Sequence, residues 1–266
     1  MKYVIDHDMH IHTRLSRCSR DPEQTPERIF QYAKLNGLKT VCITNHLWDS
    51  AVKACCETVS EHTYEVLSSE LPLPQSENVK MLFGCETDID LNGTVGVSDS
   101  LYEKLDFIIL STTHLHLKGF TVRENITLDE RAKIYTDKLF DVLKWRTDLK
   151  KSGIAHPVTG HASPGIPFNE LYEKIDRGAI KEAFTELAHR GAGVEINGKD
   201  FNFDGKSAER GAAVLEFYGI LKDCGCRFYL GGDAHHPNAL EEAPTLFKNA
   251  VELLQLTEED KFILPE

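Results

Sequence analysis

The stretch Val4-Ile5-Asp6-His7-Asp8-Met9-His10-Ile11-His12 decides the fold. It reads as a strand, and its C-terminal end carries His10 and His12, two residues apart and therefore on one face. The pattern recurs. Strand-like runs near Thr40–His46, Lys80–Thr87, Phe107–Thr113, Gly153–His156 and Arg227–Gly232 end at or beside further potential ligands: Asn45-His46, Cys85-Glu86, Thr113-His114, Ala155-His156 and Asp233-Ala234-His235. A seventh run, Gly193–Asn197, closes on Asn197.

Helical segments separate the strands. Thr25-Pro26-Glu27 is a cap with proline at the first helical position, opening a helix that ends near Gly37. Thr127-Leu128-Asp129-Glu130 fits a capping box for a helix running towards Lys151. Others are expected over Ala179–Arg190, Ala208–Asp223 and Ala239–Leu254. Alternating strands and helices imply parallel strands joined by right-handed crossovers. Seven strands, six of them with ligands at their C-terminal ends, favour a barrel over an open doubly wound sheet. No dinucleotide loop, Walker A sequence or G-x-S-x-G elbow is present. Residues 48–78 break the alternation and read as an excursion near the rim, helical around Ala51–Leu67 and leaving through Pro72 and Pro74. One domain over 1–266 is expected.

The net charge of −12 and the absence of Lys/Arg runs argue against long nucleic acid as partner. An acidic chain still binds an anionic ligand where divalent cations reverse the local field. The opening residues lack a basic-then-apolar leader pattern, and no apolar stretch approaches the ~20 residues that span a bilayer, so a cytoplasmic protein is expected. The seven cysteines lack a C-x-x-C frame and read as reduced thiols; the C-x-C of Cys224 and Cys226 reads as small buried thiols.

H-x-H alone specifies little, but six ligand-bearing elements in this order specify much more. The sequence resembles the polymerase and histidinol phosphatase (PHP) family of metal-dependent phosphoesterases, through Asp8-Met9-His10-Ile11-His12-Thr13, Ile43-Thr44-Asn45-His46, Gly84-Cys85-Glu86, the His114 segment, Ala155-His156-Pro157 and Gly232-Asp233-Ala234-His235. The resemblance implies a distorted (β/α)7 barrel with two to three divalent ions (zinc, manganese or iron) at the C-terminal ends of its strands. The implied ligands are His10, His12, Asp21, His46, Glu86, His114, His156, Asp233 and His235, with Glu86 bridging. Of these, Glu86, His114, Asp233 and His235 are also the candidate catalytic residues. Asp21 is chosen because it lies four residues before Thr25, and Cys18 is its competitor. One departure is visible: Asn45 stands where the family usually has Asp, which removes a charge beside the ligands.

Imidazole and carboxylate donors suit Zn²⁺, Mn²⁺ or Fe²⁺ without selecting strongly among them. Closely spaced ions activate water and hold phosphoryl oxygens, so no covalent nucleophile is needed. Candidate substrate contacts are Arg14, Arg17, His116, Lys118, His161 and Asn197. His7 and His236 are out of step with the ligands and are expected to face away; His62 and His189 read as surface helix residues, Asp8 and Glu195 as support. The reading is a phosphoesterase acting on a small phosphorylated metabolite by attack of metal-activated water. Histidinol phosphate leads, because the length resembles the family's stand-alone histidinol phosphatases. A phosphodiesterase or exonuclease on nucleotides, and a non-catalytic metal-binding module, are the alternatives.

Overall fold

The computed structural model describes residues 1–57 and 62–265. Its elements run in chain order as β1 (His7–Ile11), α1 (Pro26–Leu35), β2 (Thr40–Ile43), α2 (Tyr64–Leu67), β3 (Lys80–Phe83), β4 (Cys85–Asp88), α3 (Asp99–Tyr102), β5 (Ile108–Ser111), α4 (Leu128–Trp145), β6 (Ser152–Ile154), α5 (Phe168–Lys174), α6 (Arg177–His189), β7 (Gly193–Asn197), α7 (Ala208–Asp223), β8 (Arg227–Gly231) and α8 (Pro237–Leu253).

All strand pairings are parallel, in the orders β1-β2-β3 and β4-β5-β6-β7-β8. The two sheets are one circuit. β3 and β4 are a single run interrupted at Gly84, where an added Cβ would strike the Phe107 carbonyl and Cys42 Sγ. Its first half pairs with β2 and its second half with β5. Counted so, seven strands close when β8 meets β1 at the rim, through Asp233 N–H to His10 O (2.7 Å) and His12 N–H to Ala234 O (3.0 Å). The fold is a distorted (β/α)7 barrel.

The distortion has a visible chemistry. Below the rim, side chains take over part of the β8–β1 seam. Leu230 N–H donates to His7 Nε2 (3.0 Å), Gly232 N–H to Asp8 Oδ1 (2.9 Å), and the Tyr3 hydroxyl to Phe228 O (2.9 Å). β1 also carries a bulge: Asp8 pairs with Val41 and Ile11 with Ile43, so β1 uses three steps where β2 uses two. Bulges re-aim side chains beside active sites.

Met9, Cys42, Leu82, Phe107, Ile109, Ala155 and Tyr229 fill the barrel, with Phe262 and Leu264 of the C-terminal segment packed against them. Outward-facing residues such as Val41, Ile108 and Val194 join the helices in the larger core. The strands therefore point their C-terminal ends at a rim above a closed interior.

Two helix expectations are corrected. α4 stops at Trp145 rather than Lys151, because Arg146 turns extended (φ −152°). Its guanidinium lies 3.7 Å from the Tyr102 ring centroid and donates to Asp99. In the excursion only Tyr64–Leu67 is α-helical among the described residues, and residues 58–61 of the expected helix lie outside them. α5 and α3 had no counterpart in the sequence reading. No helix among the described residues is long and apolar enough to cross a membrane.

Candidate metal centre

The rim gathers side chains from β1, β2, β4, β5, β6 and β8 around Glu86, which is 1 % exposed. Its two oxygens face different neighbours. Oε2 stands 3.4 Å from His10 Nε2, 3.2 Å from His12 Nε2 and 3.1 Å from His46 Nδ1. Oε1 stands 3.1 Å from His156 Nε2 and 3.5 Å from His114 Nε2. Asp233 Oδ1 completes one side, 3.3 Å from His12 Nε2, 3.6 Å from His10 Nε2 and 3.4 Å from His235 Nδ1. His156 and Asp233 both adopt left-handed backbone (φ +22° and +46°), the kind of strain found where a rim must aim a side chain.

The outer ring nitrogens fix the tautomers. His10 Nδ1–H donates to Glu195 Oε2 (2.9 Å), which also accepts His156 N–H (3.1 Å). His114 Nδ1–H donates to Asp88 Oδ1 (2.7 Å). His12 Nδ1–H donates to Ser16 Oγ (2.9 Å), which passes its own proton to Asn45 Oδ1 (2.9 Å). His156 Nδ1–H faces Thr113 Oγ1 (3.0 Å), and His235 Nδ1–H faces Asp233 O (3.0 Å). With the proton outside, Nε2 lone pairs turn inward. His10 Nε2 and His12 Nε2 are only 3.0 Å apart. Two lone pairs so placed, beside carboxylate oxygens, repel unless a metal ion or a proton lies between.

The spacings fit a metal ion. Donors bound tetrahedrally at 2.0–2.1 Å stand about 3.3 Å from one another, and the observed separations run from 3.0 to 3.6 Å. Among the described residues three groups of donor atoms, each within 4.8 Å, emerge: His10, His12 and Glu86; His46, Glu86 and His114; and His12, Cys18, His46 and His235. Cys18, not Asp21, joins the others. Asp21 instead accepts Glu23 N–H in its own turn (2.9 Å) and belongs to none of these groups.

Asn45 has a positive reason for being an amide. Thr13 Oγ1 donates to Glu70 (2.8 Å) and so must accept, which it does from Asn45 Nδ2 (2.9 Å); a carboxylate has no proton to offer. Asp8, completely buried, accepts Gly232 N–H and the Tyr32 hydroxyl, in line with a supporting role. Gly231 and Gly232 have no room for a side chain, since a Cβ would lie 2.7 Å from Glu195 Oε1 and 2.8 Å from Asp8 Oδ2 respectively.

A cleft of about 480 Å³ opens beside the cluster, lined by Arg17, Cys18, His46, Leu47, Trp48, Cys56, Glu57, His62, Asp88, His116, Leu117, Lys118 and Phe120. Of the candidate substrate contacts, Arg17, His116 and Lys118 lie on it. His161 stacks near His116, ring centroids 4.4 Å apart. Arg14 is exposed on the Glu70 side and does not line the cleft. Asn197 is corrected: it is buried and its Oδ1 caps the following turn at Lys199 N–H (3.1 Å). His62 is corrected too, since it lines the cleft, 5.7 Å from the His46 ring, and accepts Arg17 N–H. The sequence reading missed Asp88, although it lies two residues after Glu86 and thus on the same face of β4. Lys199, which donates to Asp233 O (2.7 Å), had no signal. All seven cysteines are free; Cys226 is buried as expected, while Cys224 is only half-buried.

Burial opposes the charge on Glu86, yet His46, His10 and His114 hold its carboxyl well below the usual range. Burial and the neighbouring His114 and His161 push His116 down to about 4, so it stays neutral at physiological pH. Its Nδ1 is buried without a partner.

Two outcomes follow. Glu195→Ala should weaken metal binding or activity about 10- to 100-fold, the range for groups that orient ligating imidazoles, read by metal titration. Asp200, just past β7, is raised to about 7, chiefly by burial. A carboxyl raised on folding stabilises fully below its unfolded value near 4 and loses that stability as pH rises through 7. Asp200→Asn should therefore gain on wild type by about 2 kcal/mol between pH 5.5 and 8, read from urea midpoints; a constant difference would refute it.

A PHP domain model matches residues 8–199. The chain belongs to the PHP family. It is 28 % identical over 212 residues to a probable phosphatase of Caldicellulosiruptor saccharolyticus, covering 79 % of this chain and 73 % of that one. A probable phosphatase of Proteus mirabilis is 24 % identical over 236 residues, covering 88 % and 80 %. The crystal structure of a histidinol phosphate phosphatase from Lactococcus lactis, complexed with zinc, L-histidinol and phosphate, superposes with a TM-score of 0.56 at 19 % identity, covering 92 % of this chain and 93 % of that one. This PHP protein is a phosphatase.

Proposed function

We propose that this phosphatase hydrolyses a small phosphomonoester with metal-activated water, and that histidinol phosphate is the leading substrate. The inward-facing lone pairs around Glu86 carry the reading, because donors arranged in that way have no use without cations. His10, His12, Glu86 and Asp233 would hold one ion, Glu86, His114 and His156 a second, and His46, His235 and Cys18 a third. Bound divalent ions supply Lewis acidity, lowering the pKa of water and neutralising phosphoryl charge.

The chain's own groups do the rest. Glu195, Asp88, Ser16 and Thr113 keep protons on the outer nitrogens, so the ring faces stay ready. Arg17 and Lys118 place positive charge on the cleft wall, where a phosphate dianion is favoured. Neutral His116 offers a hydrogen bond without adding charge. Leu47, Trp48, Leu117 and Phe120 give an apolar surface for the leaving group. The cleft volume suits one small metabolite rather than a polymer. The Lactococcus lactis relative in fold, with its histidinol and phosphate, supports the substrate choice.

The test sets L-histidinol phosphate, glycerol phosphate and bis(p-nitrophenyl) phosphate against the metal-loaded protein. The highest kcat/KM is expected for histidinol phosphate. A preference for the bis ester would install the diesterase reading, and no turnover of any ester would leave a metal-binding module.

A further inference from the structure

We propose that Cys18 is a thiolate ligand that makes one position of the cluster thiophilic and oxidant-sensitive, in contrast to the imidazole–carboxylate positions beside it. The inference rests on the metal-binding reading above but not on the choice of substrate.

Among the three donor groups, the set His12, Cys18, His46 and His235 alone contains no carboxylate, and its donor atoms all lie within 4.8 Å of one another. Cys18 Sγ is thus the only donor there that becomes anionic. With His12 placed on the first ion, two imidazoles and one thiolate remain at this position, a set that suits zinc, cobalt or ferrous iron, whereas Mn²⁺ and Mg²⁺ prefer oxygen.

The loop that carries Cys18 is fastened on both sides. Ser16, before it, is held by His12 and Asn45. Ser19, after it, donates through its hydroxyl to the His235 carbonyl, and Ser19 N–H closes a turn on Ser16 O (2.9 Å). The thiol is placed by the same residues that orient neighbouring His12 and hold its co-ligand His235. Asp21, the acid of this loop, is engaged in its own turn and does not compete.

Cys18 is also exposed and lines the cleft, so a solute oxidant reaches it. With hydrogen peroxide the step balances. The sulfur lone pair attacks one peroxide oxygen, an S–O bond forms as the O–O bond breaks, and hydroxide leaves. Sulfur loses two electrons and peroxide gains them. The sulfenic acid that results is a poorer ligand, and the ion held at this position would be released.

Cobalt titration of the metal-free protein tests this without substrate. Wild type should develop the near-ultraviolet sulfur-to-cobalt charge-transfer band; Cys18→Ser should lack it. Cys18→His should bind cobalt without the band, and a Cys55→Ser/Cys56→Ser variant should keep it. Peroxide should release zinc from wild type to a chromophoric chelator, and Mn²⁺ should leave this position unfilled. A band that survives in Cys18→Ser, or cobalt bound by wild type with no band, overturns the proposal. Cobalt bound through sulfur in a protein that hydrolyses no phosphoester would refute the substrate reading and leave this one standing.

Discussion

Replacing Glu86 with glutamine is expected to cut metal-dependent turnover more than about 100-fold, beyond the range seen for groups that merely orient ligands. Glutamine has nearly the same shape, so the cavity is not the issue. The change is in what faces the rings. Oε2 stands within 3.1–3.4 Å of three imidazoles and Oε1 within 3.1–3.5 Å of two. An amide replaces one of these acceptors with an NH2 group, whose hydrogens bond the imidazole lone pairs and take the places of cations. The surviving oxygen serves one side only. Both bound metal per chain, by elemental analysis, and kcat should fall together. Metal content and kcat equal to wild type would remove Glu86 from the bridging role. Asp21→Ala is the contrast and should leave both quantities unchanged, since its carboxylate serves only its own turn.

The barrel was legible because each strand announced its end. In β1, β2, β4, β5, β6 and β8 an apolar run stops at a ligand, and parallel strands must bring those ends to one rim. His10 and His12 were readable from the two-residue period alone. What the period hides is the seam. That β8 and β1 are stitched partly by His7, Asp8 and Tyr3 depends on backbone groups more than two hundred residues away in sequence, the N–H groups of Leu230 and Gly232 and the carbonyl of Phe228. The break at Gly84 escaped notice for a similar reason, as it answers to the Phe107 carbonyl rather than to local propensity.

Spacing to a helix cap is not a direction, so it does not tell which of Asp21 and Cys18 faces the cluster. Asp21 and Cys18 are three positions apart in one irregular loop, and only the tertiary clamp by Ser16 and Ser19 decides which side chain turns inward. His62 was placed on a surface helix because its neighbours pattern that way. The chain there folds over the rim, and His62 becomes part of the cleft. Asn45 looked like a loss of charge; the demand of Thr13 for a donor was invisible without Glu70.

Chelating the metals should lower thermal stability, and the loss should grow with pH. Ligands present at 100 times their Kd stabilise a fold by about 2.7 kcal/mol, which for a chain of this length is about 5–10 °C in Tm. The pH trend follows from which groups hold protons once the cations leave. Burial disfavours charged His114, but Asp88 and Glu86 more than offset it and raise the ring to about 9. His10 is likewise held well above its ordinary value by Glu195, Glu86 and Asp233, against the effect of burial. A histidine raised on folding gives its full stabilisation below its unfolded value near 6.5 and loses it as pH climbs through the folded value. The metal-free protein therefore weakens between about pH 6.5 and 9, at about 1.4 kcal/mol per pH unit for each such proton. The loaded protein carries no proton at these nitrogens and escapes that slope, because binding has already released them. Melting curves at pH 6.5 and 8.5, with free zinc held fixed or removed by chelator, should show the widening gap. A gap that is constant or narrows with pH would mean that His10 and His114 do not exchange protons for metal.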